Sequence, residues 1–316
     1  MKIFQILYLL FSVIILGYTS KVKSNETKLN RQYITVLGIA QDAGFPQIGC
    51  DKECCKAFYL GEEPKILISS LGLVDLQNQK KYIFDATPDF TQQVHDLKTN
   101  HLDNGHVIDG VFLTHAHIGH YTGLMYLGFE AMSAKDIPVY TMPQMKTYLE
   151  TNGPWSQLVS MKNIQIKKLK NDSTIVLDSN LKVTPFLVPH RDEYSETVGY
   201  KIEGQNKSAL FIPDINKWQL WERDIVEEVK NVDYAFIDAT FFKDGEIPRP
   251  MKDIPHPFIV ETIKLFENES IETKSKIHFI HLNHTNPALK ENHPLKDSIL
   301  NLGFHFAKQG AKFSLD

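Results

Sequence analysis

Three histidines stand close together in the segment 114–120, which reads Thr-His-Ala-His-Ile-Gly-His. The segment directly follows the apolar stretch 110–113, where a buried strand is expected to pass into a loop. At this spacing His115, His117 and His120 can converge on one small volume, and neutral imidazole nitrogens are good ligands for divalent metals. The loop therefore predicts a metal centre. The alternative is a histidine-rich surface loop or a cluster of hydrogen-bonded core histidines.

Further side chains that bind metals follow other apolar runs. His190, Asp214 and His281 each stand directly after a segment with the composition of a strand. A single histidine or aspartate after a strand usually caps a turn or lies in solvent. Strand ends at one rim of a sheet, however, bring loop side chains together on a rigid scaffold. The repetition along the chain therefore favours a metal site.

The order of these residues resembles the metallo-β-lactamase superfamily, over a segment from about Tyr33 to His284. The resemblance implies an α/β fold, an αββα sandwich with metals at one edge of its two sheets. It also implies that Asp85, in Phe-Asp-Ala-Thr, braces the histidine loop through hydrogen bonds. The implied ligands are His115, His117 and His190 for the first metal, His120 and His281 for the second, and Asp214 as the bridge between the two.

One ligand of the usual superfamily loop, His-x-His-x-Asp-His, is missing, because Gly119 occupies the aspartate position. The second site then keeps two histidines and one carboxylate. Such a set could hold zinc weakly, or iron(II) in the facial arrangement used for oxygen chemistry. We expect a hydrolytic site occupied mainly at the first metal, and we expect a carboxylate restored at position 119 to increase occupancy of the second.

The predicted function is a metal-dependent hydrolase of an ester, phosphodiester or lactone bond, since a bound metal can lower the pKa of water to roughly 7. The expected cofactor is zinc, as one or two ions, with manganese or iron as alternatives. Asp238 ends a later strand and is either a general base or a loop-capping carboxylate. An iron-dependent oxygenase and a non-catalytic metal-binding protein are the alternative functions.

All three cysteines of the chain, Cys50, Cys54 and Cys55, lie within six residues after a turn rich in glycine and proline. An odd number of cysteines can mean one disulfide and a free thiol, although adjacent cysteines cannot pair comfortably with each other. The other interpretation is a structural zinc. Three thiolates need a fourth ligand for a closed tetrahedral site, and His284 is the candidate.

Two families within the superfamily resemble the chain more specifically. The segments 41–46 and 279–287, with the cysteines, resemble the pyrroloquinoline-quinone biosynthesis protein B family and the cyclic phosphodiesterases of phosphonate breakdown. In those phosphodiesterases three cysteines and the second histidine of a His-x-x-His pair hold a structural zinc. Both families have Cys-x-Cys-x-x-Cys, whereas Lys52 occupies the middle position here and Cys54 offers the third thiolate.

The N-terminus has the pattern of a secretory signal: Lys2, an apolar run over residues 3–17, and a polar stretch over residues 20–26. The run is short for a membrane-spanning helix, which needs about 20 residues. An uncleaved anchor or a buried first strand is the alternative. We expect a signal peptide over residues 1–24, an exported protein, periplasmic or secreted, and no stable membrane insertion after processing.

The remaining chain, residues 25–316, is predicted to be one metallo-β-lactamase-like domain, because no linker, repeat or low-complexity tract divides it. Removal of residues 1–24 leaves 31 Lys and Arg against 38 Asp and Glu, a net charge of −7. This charge argues against nucleic acid as a partner and leaves a small-molecule substrate. The sequence indicates no particular oligomeric state.

Apolar patterns also predict individual elements. Strands are expected at 33–39, 65–74, 81–84, 110–113 and 232–237, and helices at 88–97, 121–132, 143–150 and 215–229.

Overall fold

The computed structural model describes residues 31–248 and 250–316. The strands in this part of the chain are β1 Gln32–Gly38, β2 Ser70–Asp75, β3 Lys80–Phe84, β4 Gly110–Phe112, β5 Ile137–Thr141, β6 Ile164–Lys168, β7 Ile175–Val176, β8 Lys182–Leu187, β9 Val198–Glu203, β10 Ser208–Ile212, β11 Tyr234–Asp238, β12 Ile277–Ile280, β13 His305–Phe306 and β14 Lys312–Ser314. They form two seven-stranded sheets, ordered β14-β1-β2-β3-β4-β5-β6 and β13-β12-β11-β10-β9-β8-β7.

The α-helices are short. They are α1 Glu53–Tyr59, α2 Phe90–Asp96, α3 Ile118–Tyr121, α4 Pro143–Thr151, α5 Trp155–Ser160, α6 Ile225–Lys230, α7 Ile259–Leu265, α8 Ile271–Ser275 and α9 Pro294–Asn301. A π-helix, Leu97–His101, continues α2, and 3-10 helices occur at Thr122–Leu127, Trp218–Leu220, Met251–Asp253 and Pro287–Leu289.

The inner faces of the two sheets pack on each other through aromatic side chains. Phe84 of the first sheet contacts Tyr200 and Phe211 of the second, with ring centroids 5.3 and 6.0 Å apart. All three side chains are fully buried, and burial of each such side chain stabilises the fold by roughly 1.5–3 kcal/mol. The Tyr200 hydroxyl also donates a hydrogen bond to the carbonyl oxygen of Leu113, just before the histidine loop.

The outer faces of the sheets are covered by helices. Apolar residues of α2, α4 and α5 pack on the first sheet, and those of α6, α7 and α9 pack on the second. The resulting order of layers is helix, sheet, sheet, helix. This is the predicted αββα sandwich.

Parallel pairing determines where the site lies. Strands β3, β4 and β5 are parallel neighbours in the first sheet, and β10, β11 and β12 are parallel neighbours in the second. Carboxyl ends of parallel strands meet at one edge of a sheet. The residues at or just after these ends are therefore gathered at a common edge: Asp85, His115, Asp214, Asp238 and His281.

The loop after β1 joins the two sheets at this same edge. The amide of Leu282 donates to the carbonyl of Ile39 at 2.8 Å, and the amide of Gln41 donates to the carbonyl of Leu282 at 2.9 Å. The chain that leaves the first strand is therefore fixed against the segment that carries His281.

Two helix predictions were wrong. In residues 121–132, Tyr121 ends α3, a 3-10 helix follows over Thr122–Leu127, and no regular helix continues to residue 132. Gly123 packs closely on the loop after β3, where an added Cβ would meet the carbonyl oxygen of Thr87 at 2.2 Å. Residues 215–229 are helical only at Trp218–Leu220 and Ile225–Lys230, and Asp224 caps the second helix by accepting a hydrogen bond from the amide of Val226 at 2.8 Å.

The other predicted elements match more closely. The apolar side chains of Trp218, Trp221, Ile225 and Val229 are buried in the core even though the helix is interrupted. The strand expected over 65–74 begins only at Ser70. The predicted signal peptide lies outside the described residues, and within those residues no helix combines the length and apolar character needed to cross a bilayer.

Candidate metal centre

The first group of side chains consists of His115, His117, His190 and Asp214, whose ligand atoms all lie within 4.8 Å of one another. Nδ1 of His117 lies 2.9 Å from Nε2 of His115 and 3.2 Å from Nε2 of His190. Oδ2 of Asp214 lies 3.4 and 3.1 Å from the same two Nε2 atoms. The structure thus brings together the residues predicted for the first metal.

The second group shares Asp214 with the first and adds His120, His281 and Asp42. Oδ1 of Asp42 lies 3.0 Å from Nε2 of His120 and 2.8 Å from Nε2 of His281. The sequence predicted His120, His281 and Asp214 here but not Asp42. The second group therefore contains two carboxylates where the sequence indicated one.

Each of the five imidazoles has an oxygen acceptor on the ring nitrogen that faces away from its group. The pairs are His115 Nδ1 with Thr114 Oγ1 at 2.9 Å, His117 Nε2 with Glu193 Oε2 at 3.1 Å, His120 Nδ1 with Asp85 Oδ2 at 2.7 Å, His190 Nδ1 with Asn216 Oδ1 at 3.2 Å and His281 Nδ1 with Thr240 Oγ1 at 2.9 Å. An acceptor on one nitrogen places the ring proton there and directs the lone pair of the other nitrogen into the group.

This donor set fits a divalent cation. Inward lone pairs of neighbouring rings repel one another unless a cation or an extra proton lies between them. Asp214 is 3% exposed, and its buried Oδ1 accepts no hydrogen bond from the described residues, although His256 Nδ1 lies 3.1 Å away without hydrogen-bond alignment. Buried carboxylates normally have partners, and imidazole nitrogen with carboxylate oxygen is a typical zinc ligand set.

Asp85 holds the histidine loop in place, as the resemblance implied. Its Oδ1 accepts from the amide of Thr114 at 2.8 Å, and its Oδ2 accepts from the Thr114 hydroxyl at 3.0 Å and pairs with His120. Asp85 and His281 have φ angles of 66° and 65°, in the left-handed region that costs most residues about 1–2 kcal/mol. Strained strand ends of this kind are typical of functional sites.

The charges of the two groups depend on one another. Although burial alone would raise the pKa of Asp214, the rings of His190 and His256 lower it well below its usual range. Burial and the charge of His120 lower the pKa of His115 well below its usual range. Burial would also lower the pKa of His120, but the carboxylates of Asp42 and Asp85 raise it well above its usual range. Metal at the second group would therefore displace a proton, which makes its affinity pH-dependent.

Two residues of the site were missed by the sequence analysis, Asp42 and His256. Asp42 lies in the segment 41–46, which was named only because it resembles two known families. The one feature of the sequence that could have indicated Asp42 as a ligand is its position shortly after a strand. His256 lies in an irregular segment rich in proline, where no periodic pattern marks a site.

The structure counts against the expectation that a carboxylate at position 119 would simply add a ligand. A Cβ atom at Gly119 would lie 2.5 Å from Cβ and 2.6 Å from Cα of Asp42. The backbone and side chain of Asp42 already occupy the space that a side chain at position 119 would need.

Asp238 is fully buried and both of its oxygens are engaged. Oδ1 accepts from the amide and the hydroxyl of Thr240 at 2.9 and 2.7 Å. Oδ2 accepts from the amide of Ile215 at 3.2 Å and from Nδ1 of His256 at 2.8 Å. These contacts favour a positioning role, in which Asp238 orients His256 directly and His281 through Thr240. Its role as general base stays a prediction.

His256 is partly exposed and lines a cavity of about 850 Å³, together with Gln41 and Ala43 on either side of Asp42 and with Cys50 and His284 of the cysteine group. Although burial would lower the pKa of His256, the carboxylates of Asp238 and Asp214 raise it to about 10. The same cavity is lined by Lys52 and Arg191, which carry positive charge, and by apolar side chains that include Phe241. The arrangement can hold a small anionic molecule against a protonated imidazole.

Three of the four residues predicted for a structural zinc lie together. The ligand atoms of Cys50, Cys54 and His284 are within 4.8 Å of one another, and the two sulfur atoms are 3.6 Å apart. Cys55 is fully buried in the same apolar cluster, outside that group of three. Cys55 is therefore the one predicted ligand that does not belong to this group.

The fold and the site together define the class of the protein, an αββα sandwich of the metallo-β-lactamase type with a candidate metal centre at the edge of its sheets, as predicted. Residues 80–279 match the family profile described as Beta-lactamase superfamily domain. This match spans more than half of the chain, and the chain belongs to that family.

Individual relatives agree with this assignment. Coenzyme PQQ synthesis protein B of Gluconobacter oxydans (strain 621H) is 26% identical over 310 residues, which cover 90% of this chain and 98% of the relative. Zinc-bound PqqB from Methylobacterium extorquens has a TM-score of 0.73 at 22% identity, covering 89% of this chain and 99% of PqqB. A diphosphatase of the PhnP family has a TM-score of 0.61 at 23% identity, covering 89% and 96%. The two structural likenesses confirm the predicted fold.

We expect His117→Ala and His190→Ala each to abolish metal binding at the first group, because the loss of one of about four ligands leaves the ion under-coordinated. Metal content per chain after dialysis measures the effect. His95→Ala, on the exposed face of α2, is the matched control and should keep the wild-type content. Unchanged metal content in either site variant would contradict the assignment.

We expect His284→Ala to release one zinc from the group with Cys50 and Cys54, and to lower the melting temperature by about 10 °C, since the metal binds the folded state. Metal at the first group should remain. A disulfide predicts a different result: two of the three thiols would be missing in a titration of the denatured, unreduced protein, and His284→Ala would hardly change stability.

Proposed function

We propose that the protein is a hydrolase that uses divalent metal to cleave an ester, phosphodiester or lactone bond in a small molecule. One observation carries the proposal. Five imidazoles, each fixed through its outer nitrogen, direct their inner nitrogens toward the buried carboxylate of Asp214. Fixed ligands around a shared carboxylate suit a site that holds one or two ions beside an open cavity.

The first metal would be held by His115, His117 and His190, and the second by His120 and His281, with Asp214 between them. Zinc is favoured by the nitrogen and oxygen ligands and by the zinc-bound PqqB relative. When bound, such a metal lowers the pKa of water and polarises the bond to be cleaved. Asp85 and Thr240 keep His120 and His281 in the orientation that binding requires.

His256 is the group best placed to donate a proton to the leaving group. Its Nδ1 is bonded to Asp238, and the ring faces the cavity. A metal on Asp214 would remove part of the effect that raises the pKa of His256, whereas the contact with Asp238 would remain. A protonated imidazole at neutral pH can act as a general acid, an effect worth about 10²–10⁴-fold in rate.

Among the bonds named, a phosphodiester has two supports. Lys52 and Arg191 add positive charge to the cavity wall, where Asp253 adds one negative charge. A protein named as a diphosphatase, whose substrate contains phosphate, shares the fold over 89% of this chain. A volume of about 850 Å³ is within the range of small-molecule sites. The excess of acidic residues argues against nucleic acid as the substrate.

A role in quinone synthesis is the second candidate, because Coenzyme PQQ synthesis protein B matches the chain over 90% of its length. In that case the second group would bind iron and the protein would be an iron-dependent oxygenase. Oxygen chemistry of that kind uses two histidines and one carboxylate with open positions, whereas Asp42 brings a second carboxylate into the group. The geometry therefore supports hydrolysis better.

Export to the periplasm or the medium is the proposed location, on the evidence of the apolar run in residues 3–17 and the polar stretch after it. A free enzyme in that compartment would acquire its metal after export, and its three cysteines would be exposed to oxidation unless they bind zinc.

We expect purified protein to contain zinc or manganese and to hydrolyse at least one member of an ester, lactone and phosphodiester panel. Removal of metal with a chelator should abolish turnover, and added zinc or manganese should restore it, because the metal supplies the nucleophile. Turnover should be the same without oxygen. Iron-dependent oxygen uptake would instead support the oxygenase, and tight metal without turnover would support a non-catalytic metal-binding protein.

We expect His256→Gln to lower kcat by about 10²–10⁴-fold with metal content unchanged, because the leaving group loses its proton donor. The loss should be small for a p-nitrophenyl substrate, whose leaving group needs no proton. An equal loss with good and poor leaving groups, or a loss of metal, would count against the assignment.

A further inference from the structure

Gly119 and Asp42 compete for one position beside the second group. The chain has no side chain at 119, and the space that a side chain would enter is filled by the Cα, Cβ and Cγ atoms of Asp42, at 2.6, 2.5 and 2.6 Å from an added Cβ. The two residues are 77 positions apart in the sequence. A carboxylate has thus entered the site from a different loop.

Backbone conformation does not explain the glycine. Gly119 is the second residue of α3 and has no positive φ angle. Glycine also has a weaker helix propensity than every residue except proline, so the local helix does not favour it. The close approach of Asp42 is the feature of the structure that requires the absence of a side chain there.

Asp42 is held firmly in this position by backbone hydrogen bonds on both sides. The amide of Gln41 donates to the carbonyl of Leu282 at 2.9 Å, and the amide of Gly44 donates to the carbonyl of Gln41 at 2.7 Å. The carboxylate of Asp42 is only 17% exposed. Its placement next to His281 therefore follows from the pairing of the two loops rather than from a flexible side chain.

The chemistry around Asp42 points to a cation. Oδ1 of Asp42 faces Nε2 of both His120 and His281 at 3.0 and 2.8 Å. The other nitrogens of these rings already pair with Asp85 and Thr240. An oxygen acceptor and two nitrogen lone pairs can share this volume only if the rings take up extra protons or the three atoms share a cation.

We propose that Asp42 supplies to the second metal the carboxylate that the histidine loop lacks, and that positions 42 and 119 are alternative sources of the same ligand. The second site then has four protein ligands, His120, His281, Asp214 and Asp42. The proposal rests on the proposed function only in requiring metal at this cluster. It is tested by metal binding rather than by turnover.

The test is a titration of chelator-treated full-length protein with Mn²⁺, followed by electron paramagnetic resonance and calorimetry. Manganese is used because it prefers oxygen ligands such as carboxylates to thiolates, so the group formed by Cys50 and Cys54 does not contribute. We expect two Mn²⁺ ions per wild-type chain. Asp42→Asn, which keeps the size of the side chain and removes its charge, should bind the first ion normally and the second at least about tenfold more weakly.

A ligand exchange gives the sharper result. Gly119→Asp alone should also weaken the second site, because its side chain displaces Asp42. Asp42→Gly combined with Gly119→Asp removes the Cβ and Cγ atoms of residue 42 and returns one carboxylate. The Cα atom of residue 42, 2.6 Å from the added Cβ, must still shift, so we expect partial recovery of affinity for the second ion. Asp42→Gly combined with Gly119→Asn has the same space without the charge, and should not recover it.

Normal binding of the first ion in each variant shows that the variant is folded. The proposal is overturned if wild-type protein binds one Mn²⁺ ion, if Asp42→Asn binds two as tightly as wild type, or if the exchanged variant binds no better than its asparagine control. A protein that binds metal as expected but hydrolyses nothing would contradict the proposed function and leave the assignment of Asp42 intact.

Discussion

The arrangement of the site depends on the burial of one charge, the carboxylate of Asp214 at the end of β10. It belongs to both histidine groups and is almost completely shielded from water. A buried carboxylate without compensation costs several kcal/mol. Compensation has to come from imidazolium protons or from bound cations. The outer nitrogens of the rings already have acceptors, so the inner nitrogens present lone pairs toward Asp214. Lone pairs around a buried carboxylate favour the binding of cations.

Much of this arrangement could be predicted from the sequence, because it follows from strand ends. His115, Asp214 and His281 each come directly after a short apolar run, and parallel pairing brings the carboxyl ends of such runs to one edge. Local patterns carry enough information for that step. The interrupted helices at 121–132 and 215–229 were not predictable in the same way, since Gly123 packs against a distant loop and the cap at Asp224 begins a new helix within the second segment.

Asp42 and His256 could not be predicted for a related reason. Their positions depend on contacts between distant loops, and a local pattern does not encode such contacts. Gly119 shows the consequence most clearly: taken within its motif it indicates a missing ligand, whereas in the fold it marks the place where another loop brings a carboxylate. A motif describes the ligands that one segment supplies. The full set of ligands at a metal site depends on every chain segment that reaches this edge of the two sheets.

The same pair of loops connects the site to the cysteine group. The loop that carries Asp42 continues to Cys50 and Cys54, and the segment that carries His281 continues to His284. A backbone hydrogen bond from the amide of Gln41 to the carbonyl of Leu282 joins the two loops next to Asp42 and His281. A zinc held by Cys50, Cys54 and His284 would thus fix the separation of the loops from the far side. Ligands on loops that are fixed at both ends lose less entropy on binding metal, so such a zinc would increase the affinity of the second site without touching it.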